Sequence, residues 1–180
     1  MERQVALLRG INVGKSARLG MADLRALLQD AGYEDVKTHL QSGNVVLTAD
    51  ATGADLERAL ELLLRDQLAS PIRVVVRNAT QLAEIVDADP LAEVADKPSL
   101  KQVSFLGDEL DSAIAKELEA AAPDLAPERL VVRGREIYTW HPDGIQSSPT
   151  AKLLTDKRLQ TTVTARNWNT VTKLLELVTA

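Results

Sequence analysis

Val36-Lys37-Thr38-His39-Leu40-Gln41-Ser42-Gly43-Asn44-Val45-Val46-Leu47-Thr48 is the stretch that decides the fold. Residues 36–41 and 44–48 have the composition of strands, and Ser42-Gly43 between them supplies the glycine a tight reversal needs. The stretch predicts a β-hairpin. Upstream, Met21, Leu24, Leu27 and Leu28 recur at helical spacing, and Gly32 is placed to end that helix. Val5-Ala6-Leu7-Leu8 is too short for a helix and reads as a buried strand. Downstream, Leu56, Leu60, Leu63, Leu64 and Leu68 form the apolar face of a second helix, stopped by Ser70-Pro71. Ile72-Arg73-Val74-Val75-Val76 is a fourth strand. The order is βαββαβ, that of a ferredoxin-like layer.

The second half repeats that order without a residue-level repeat. Residues 100–106 predict a strand, and 108–122 a helix with Leu110, Ile114 and Leu118 on one face. A hairpin follows over 129–133 and 136–141 around Gly134, then a short helix near 149–158 and a strand near 161–165. A last helix starts near Asn167, its inner face made by Trp168, Val171, Leu174, Leu175 and Val178. Segment 79–98, a short acidic helix followed by Asp89-Pro90 and Lys97-Pro98, reads as the joint. The expectation is an α+β chain of two tandem ferredoxin-like βαββαβ subdomains, 1–78 and 99–180, with separate sheets and a C-terminal helix.

Composition excludes several chemistries. The 180 residues contain no cysteine, hence no disulfide, no thiolate nucleophile and no Cys-ligated metal. His39 and His141 are too few for most His-based metal sites, so neither metal nor cofactor is expected. No apolar run approaches the roughly 20 residues needed to span a bilayer. Met1-Glu2-Arg3-Gln4 lacks the features of a secretory signal, so a cytoplasmic protein without membrane contact is expected. Net charge is -5, but unevenly placed. Residues 79–128 carry twelve acidic side chains against three lysines, whereas 129–175 carry eight basic against three acidic. That segregation suggests an electropositive face. The strands at 5–8 and 45–47 lack the aromatics an RNA-stacking sheet requires. Tyr138 and Trp140, two apart in the basic half, leave nucleic acid as a less favoured partner, although such rings more readily fill a core.

Three motifs carry a resemblance: Arg9-Gly10-Ile11-Asn12-Val13-Gly14, Gln41-Ser42-Gly43-Asn44-Val45-Val46, and Thr164-Ala165-Arg166-Asn167-Trp168-Asn169-Thr170. In this order and at these distances they resemble the bacterial family catalogued as domain of unknown function 1697, over nearly the whole chain. The resemblance implies a two-subdomain α+β bacterial protein, in a family to which no biochemical activity is assigned. The chain departs from the family pattern at Lys15, Ser16, His39 and Leu47.

The first loop, Gly10-Ile11-Asn12-Val13-Gly14-Lys15-Ser16, imitates a P-loop but has three residues between its glycines where phosphate wrapping needs four. A looser anion site survives, with backbone amides beside Arg9, Lys15 and Arg18. His39 and Ser42 fall on opposite faces if one strand runs through both, which argues against a nucleophile–base pair. Thr164 or Asn167 suits a helix cap, and Arg166 a bidentate contact to an anion. The expected function is therefore binding of a small phosphate- or carboxylate-bearing ligand in a polar cleft. Arg9, Asn12, Lys15, Asn44, Lys157, Arg166 and Asn167 are the candidate residues, with Arg9 and Arg166 lining one cleft. The alternatives are an enzyme in which Arg9, Arg166 or Lys157 stabilises developing negative charge, and an interaction module for nucleic acid or protein.

Overall fold

The structure, a computed structural model, describes residues 1–12, 19–68 and 71–180. The first half runs β1 (Glu2–Arg9), α1 (Met21–Asp30), β2 (Glu34–His39), β3 (Asn44–Ala49), α2 (Gly53–Gln67) and β4 (Arg73–Asn78). Its strands form one antiparallel sheet in the order β2-β3-β1-β4. After α3 (Ala79–Asp87) come β5 (Lys101–Leu106), α4 (Ser112–Ala121), β6 (Arg129–Arg133), β7 (Glu136–Trp140), α5 (Pro149–Leu153), α6 (Asp156–Leu159), β8 (Val163–Asn167) and α7 (Trp168–Thr179). These strands form a second antiparallel sheet, β6-β7-β5-β8, the same topology used twice. The chain is an α+β protein of two tandem βαββαβ layers with a C-terminal helix.

Two compact units emerge: Met1–Ala83 with Leu174–Ala180, and Glu84–Lys173. The first boundary falls inside α3, within the 79–98 segment read as a joint. The helix leaves β4 without a loop because Asn78 Oδ1 accepts from Gln81 N at 2.9 Å and Asn78 N donates to Gln81 Oε1 at 3.0 Å. The last residues of α7 go with the first unit.

Each unit buries one sheet face under its own helices. In the first, Ala6, Leu8, Val45, Leu47, Val74 and Val76 pack with Leu24 and Leu28 of α1 and Leu56, Leu60 and Leu64 of α2. The four-residue spacing of those α2 leucines makes a stripe that covers the sheet along 15 residues. Gly43 turns the β2–β3 hairpin at φ +74°, and a Cβ there would lie 2.5 Å from Ile11 Cγ2 and 2.8 Å from Leu8 Cβ. Only glycine supplies both the backbone angle and the space.

In the second unit, Leu106, Leu130, Ile137 and Val163 pack with Leu118 of α4 and Leu159 of α6. The helix expected over 108–122 begins at Ser112, because Asp111 caps it by accepting from Ala113 N at 2.8 Å. The helix expected over 149–158 is two short ones. Thr155 interrupts it by capping the second, with Arg158 N donating to Thr155 Oγ1 at 3.3 Å.

Candidate functional site

The polar residues that the motifs single out mostly hold backbone. In the first unit, Asn12 Nδ2 donates to Leu19 O at 3.0 Å and Gln41 O at 3.1 Å, and its Oδ1 accepts from Leu19 N at 2.9 Å. Asn44 is buried, and its amide donates to His39 O and Ser42 Oγ, both at 2.9 Å. The first two motifs therefore meet, with Leu8 N donating to Gly43 O at 2.8 Å. Arg9 is exposed at the end of β1, and Lys15 lies outside the described residues.

In the second unit, Arg166 is 8% exposed, and its Nη1 donates to Thr164 Oγ1 at 2.7 Å and Ala165 O at 2.9 Å. Burial pulls its pKa down to about 10, so it stays charged near neutrality. Asn167 Oδ1 accepts from Thr170 N and Oγ1, both at 2.9 Å, which caps α7. Alternation puts Arg166 and Asn167 on opposite faces of β8. Lys157 is exposed on α6. Tyr138 is buried with its hydroxyl donating to Ile85 O at 3.1 Å, and burial, reinforced by Glu136, pushes its pKa up to about 12.

Chemistry gathers elsewhere, on the inner face of the second sheet. The register pairs Gln102 with Thr139 and Ser104 with Ile137, so the side chains of Gln102, Ser104 and Thr139 share a face. His141 follows Thr139 by two residues and keeps to that side. These four line a cavity of about 130 Å³, whose apolar wall includes Ile145, Leu154 and Val163. Thr139, His141 and Ser104 are each 2% exposed or less. Neither Gln102 nor Ser104 has a side-chain hydrogen-bond partner among the described residues.

Behind the cavity lies a buried relay. His141 Nε2 is 2.9 Å from Thr139 Oγ1. Its Nδ1 is 2.9 Å from Ser148 Oγ and 3.4 Å from Glu128 Oε1. Ser148 donates its proton to Glu128 Oε2 at 2.9 Å and accepts from Ala151 N at 2.9 Å, capping α5 directly before Pro149. With Ser148's only proton on Glu128, Nδ1 must be the donor towards Ser148. In the neutral ring Nε2 is then an acceptor for the Thr139 hydroxyl. Glu128 also accepts from Thr150 N at 3.1 Å. Burial opposes its ionisation, but hydrogen bonds from Thr150 and Ser148, with the His141 ring beside it, outweigh that. Glu128 titrates below the ordinary carboxylate range.

The first unit is an internal control. Gln4 on β1 pairs with Asn78, the residue before α3, as Gln102 on β5 pairs with Asn167, the residue before α7. From that equivalence, Ser104, Thr139 and His141 correspond to Ala6, Leu47 and Ala49, all buried in an apolar core. The covering elements differ too: one helix of 15 residues in the first unit, two helices of five and four in the second. The topology itself does not call for polar groups or a cavity here.

The signal for this site lies in alternation. Tyr138 and Trp140 draw attention on one face of β7, while Thr139 and His141 on the other face, beside Gln102 and Ser104 on β5, are the polar stripe. Glu128 and Ser148, distant in sequence, carry no such signal. Among the described residues no group of three or more His, Asp or Glu side chains could hold a metal, and no helix is long and apolar enough to cross a membrane.

The chain belongs to the DUF1697 family: the sequence model of that family, described as "Protein of unknown function (DUF1697)", matches residues 1–138. The match ends one residue before Thr139 and includes Gln102, Ser104 and Glu128. The fold resembles that of the conserved bacterial protein SP0830 from Streptococcus pneumoniae, at 24% identity and a TM-score of 0.73, over 98% of each chain. At that identity the likeness concerns the fold alone. Among curated proteins none matches the sequence.

Proposed function

We propose that this member of the DUF1697 family binds a small organic ligand through a carboxylate or other carbonyl group in the cavity of its second unit. The observation that carries the reading is the contrast between the two sheets. Positions that are Ala6, Leu47 and Ala49 in the sealed core of one are Ser104, Thr139 and His141 around an opening in the other. Sequences break local packing rules mainly where function requires it.

Size and polarity narrow the ligand. An apolar cavity of about 150 Å³ holds one benzene molecule. About 130 Å³ therefore suits a group of a few non-hydrogen atoms, such as the acyl end of a metabolite. The Gln102 amide and Ser104 hydroxyl can donate to a carbonyl oxygen, and Ile145, Leu154 and Val163 suit a short carbon chain. Among the described residues no lysine or arginine lines the cavity, and the ionised Glu128 lies beyond His141, which favours a neutral carbonyl first, a singly charged carboxylate second and a phosphate least.

NMR of the histidine ring protons tests this directly, because the chain has two histidines and His39 serves as the control. Propionate or propionamide should shift the His141 signals and leave those of His39 in place, whereas inorganic phosphate should do neither. Ser104→Val should abolish the response. If no short carbonyl compound moves the His141 signals, the cavity is not a ligand site.

A further inference from the structure

We propose that Thr139 is an acyl-accepting nucleophile and that the second unit hydrolyses small carboxylic esters or thioesters. This rests on the binding reading and names its substrate class. Three features of the relay support it. Thr139 lines the cavity, and its Oγ1 lies 2.9 Å from His141 Nε2, within the range expected of a nucleophile and its base. The carboxylate of Glu128 stands on the opposite ring nitrogen, at 3.4 Å directly and through Ser148 Oγ at 2.9 Å. Nucleophile on one nitrogen and carboxylate on the other is the arrangement of a hydrolytic triad, recognised by geometry rather than by sequence order. Ser148 is not the nucleophile: its proton is committed to Glu128 and its oxygen accepts from Ala151 N.

The step balances with an ester and water. Thr139 Oγ1 bonds to the ester carbonyl carbon, its proton passes to His141 Nε2, and the carbonyl electron pair moves onto oxygen. Ser104 and Gln102, on the adjacent strand of the same cavity, are the donors available to that oxygen. Collapse breaks the bond to the leaving group, which takes the proton from Nε2 and departs as an alcohol or thiol. Water then loses a proton to Nε2, attacks the acyl-Thr139 carbonyl and releases the carboxylic acid, restoring the hydroxyl. Glu128 remains ionised throughout and keeps Nδ1 protonated, so that Nε2 is the nitrogen that cycles. The apolar wall sets the acyl group as a short one.

The test is acetylation by p-nitrophenyl acetate, followed by nitrophenolate release, intact mass and peptide mapping. The expected result is one acetyl group on Thr139. Thr139→Ser should keep it and the near-isosteric Thr139→Val should abolish it. His141→Asn should slow it by about 100-fold or more, the usual share of a general base. Absence of both acetyl-Thr139 and catalytic nitrophenolate release in the wild type overturns the proposal, as does release or modification that is undiminished in Thr139→Val. The histidine NMR response separates the two readings. If propionate still shifts His141 while neither acetyl-Thr139 nor nitrophenolate release dependent on Thr139 is seen, binding stands and the covalent step falls; if the His141 shift is missing too, both fall.

Discussion

Glu128→Gln removes one charge from a buried network while keeping its shape, so its cost can be worked from the hydrogen bonds. Glu128 is 7% exposed, and its carboxylate accepts from Ser148 Oγ and Thr150 N, with His141 Nδ1 close by. A hydrogen bond to a charged acceptor contributes about 1.5–3 kcal/mol and a neutral one about 0.5–1.5 kcal/mol, so neutralising the acceptor loses about 1 kcal/mol per bond. The glutamine amide must also point its NH₂ at one of three donors, leaving that donor unmet at about 1–3 kcal/mol. The expected loss is about 3–5 kcal/mol, two weakened bonds and one unmet donor. Tryptophan fluorescence during urea unfolding reads it cleanly, because Trp140 and Trp168 are the chain's two tryptophans and both lie in the second unit. The pH dependence has a definite sign. Glu128 has a lowered folded pKa, so its contribution is full above the ordinary carboxylate range and disappears as pH falls through the folded value. Wild-type protein should lose stability in that acid window, and Glu128→Gln should lose less there. A variant as stable as wild type at neutral pH would mean that desolvation cancels the network's gain, and the description of Glu128 as its anchor would be wrong.

Gly43→Ala should destabilise the first unit by more than about 2 kcal/mol, since a positive φ combines with a Cβ inside contact distance of Ile11 and Leu8; circular dichroism during thermal unfolding measures it. Asn12→Gly retains the φ of 58° but removes three hydrogen bonds, two to Leu19 and one to Gln41, at about 1 kcal/mol each, and faster amide exchange at Leu19 would report the loosened connection. Lys101 is 3% exposed, pairs with Asp89 and lies 3.7 Å from the centroid of the Trp168 ring. Asp89→Asn should therefore cost about 3–5 kcal/mol by stranding a buried ammonium, and Lys101→Met somewhat less, because the Asp89 carboxylate it strands is the more exposed partner and also accepts from Leu91 N; both are read by tryptophan fluorescence.

The fold was legible because its determinants are local. Apolar spacing and the Ser42-Gly43 turn lead to the first layer, and element order alone leads to the second. Boundaries moved where a side chain competes for backbone: Asp111 starts α4 four residues late, and Thr155 splits one expected helix into two. The motif residues were visible, but their chemistry was not. An asparagine in a glycine loop reads equally as a ligand contact or as a staple, and only the partners of Asn12 and Asn44 show how those amides are engaged. Arg166 reads as an anion fork until its burial against Thr164 and a carbonyl is seen. The relay depends on β6, β7 and the turn before α5 bringing Glu128, His141 and Ser148 together, and no spacing rule joins residues that far apart.

Duplication of the layer supplies the sharpest test of whether the polar stripe serves a ligand or the fold. Leu47 and Thr139 occupy equivalent positions, each opposite the glutamine of its central strand. Leu47 is fully buried in close packing. Leu47→Thr loses apolar burial at about 0.8 kcal/mol per methylene, and strands a hydroxyl at about 1–3 kcal/mol. The expected cost is about 2–4 kcal/mol, measured by circular dichroism. Thr139→Leu is the reverse exchange beside an opening. It sacrifices one hydrogen bond to His141, worth about 1 kcal/mol, and gains burial of about 0.8 kcal/mol per added methylene as it fills space. Fluorescence-monitored unfolding should place it within about 1 kcal/mol of wild type, while its His141 signals no longer respond to propionate. Equal losses in the two variants would instead make Thr139 a scaffold residue as necessary to its sheet as Leu47 is to the other. The polar stripe would then belong to the fold, and the reason for placing a ligand there would be gone.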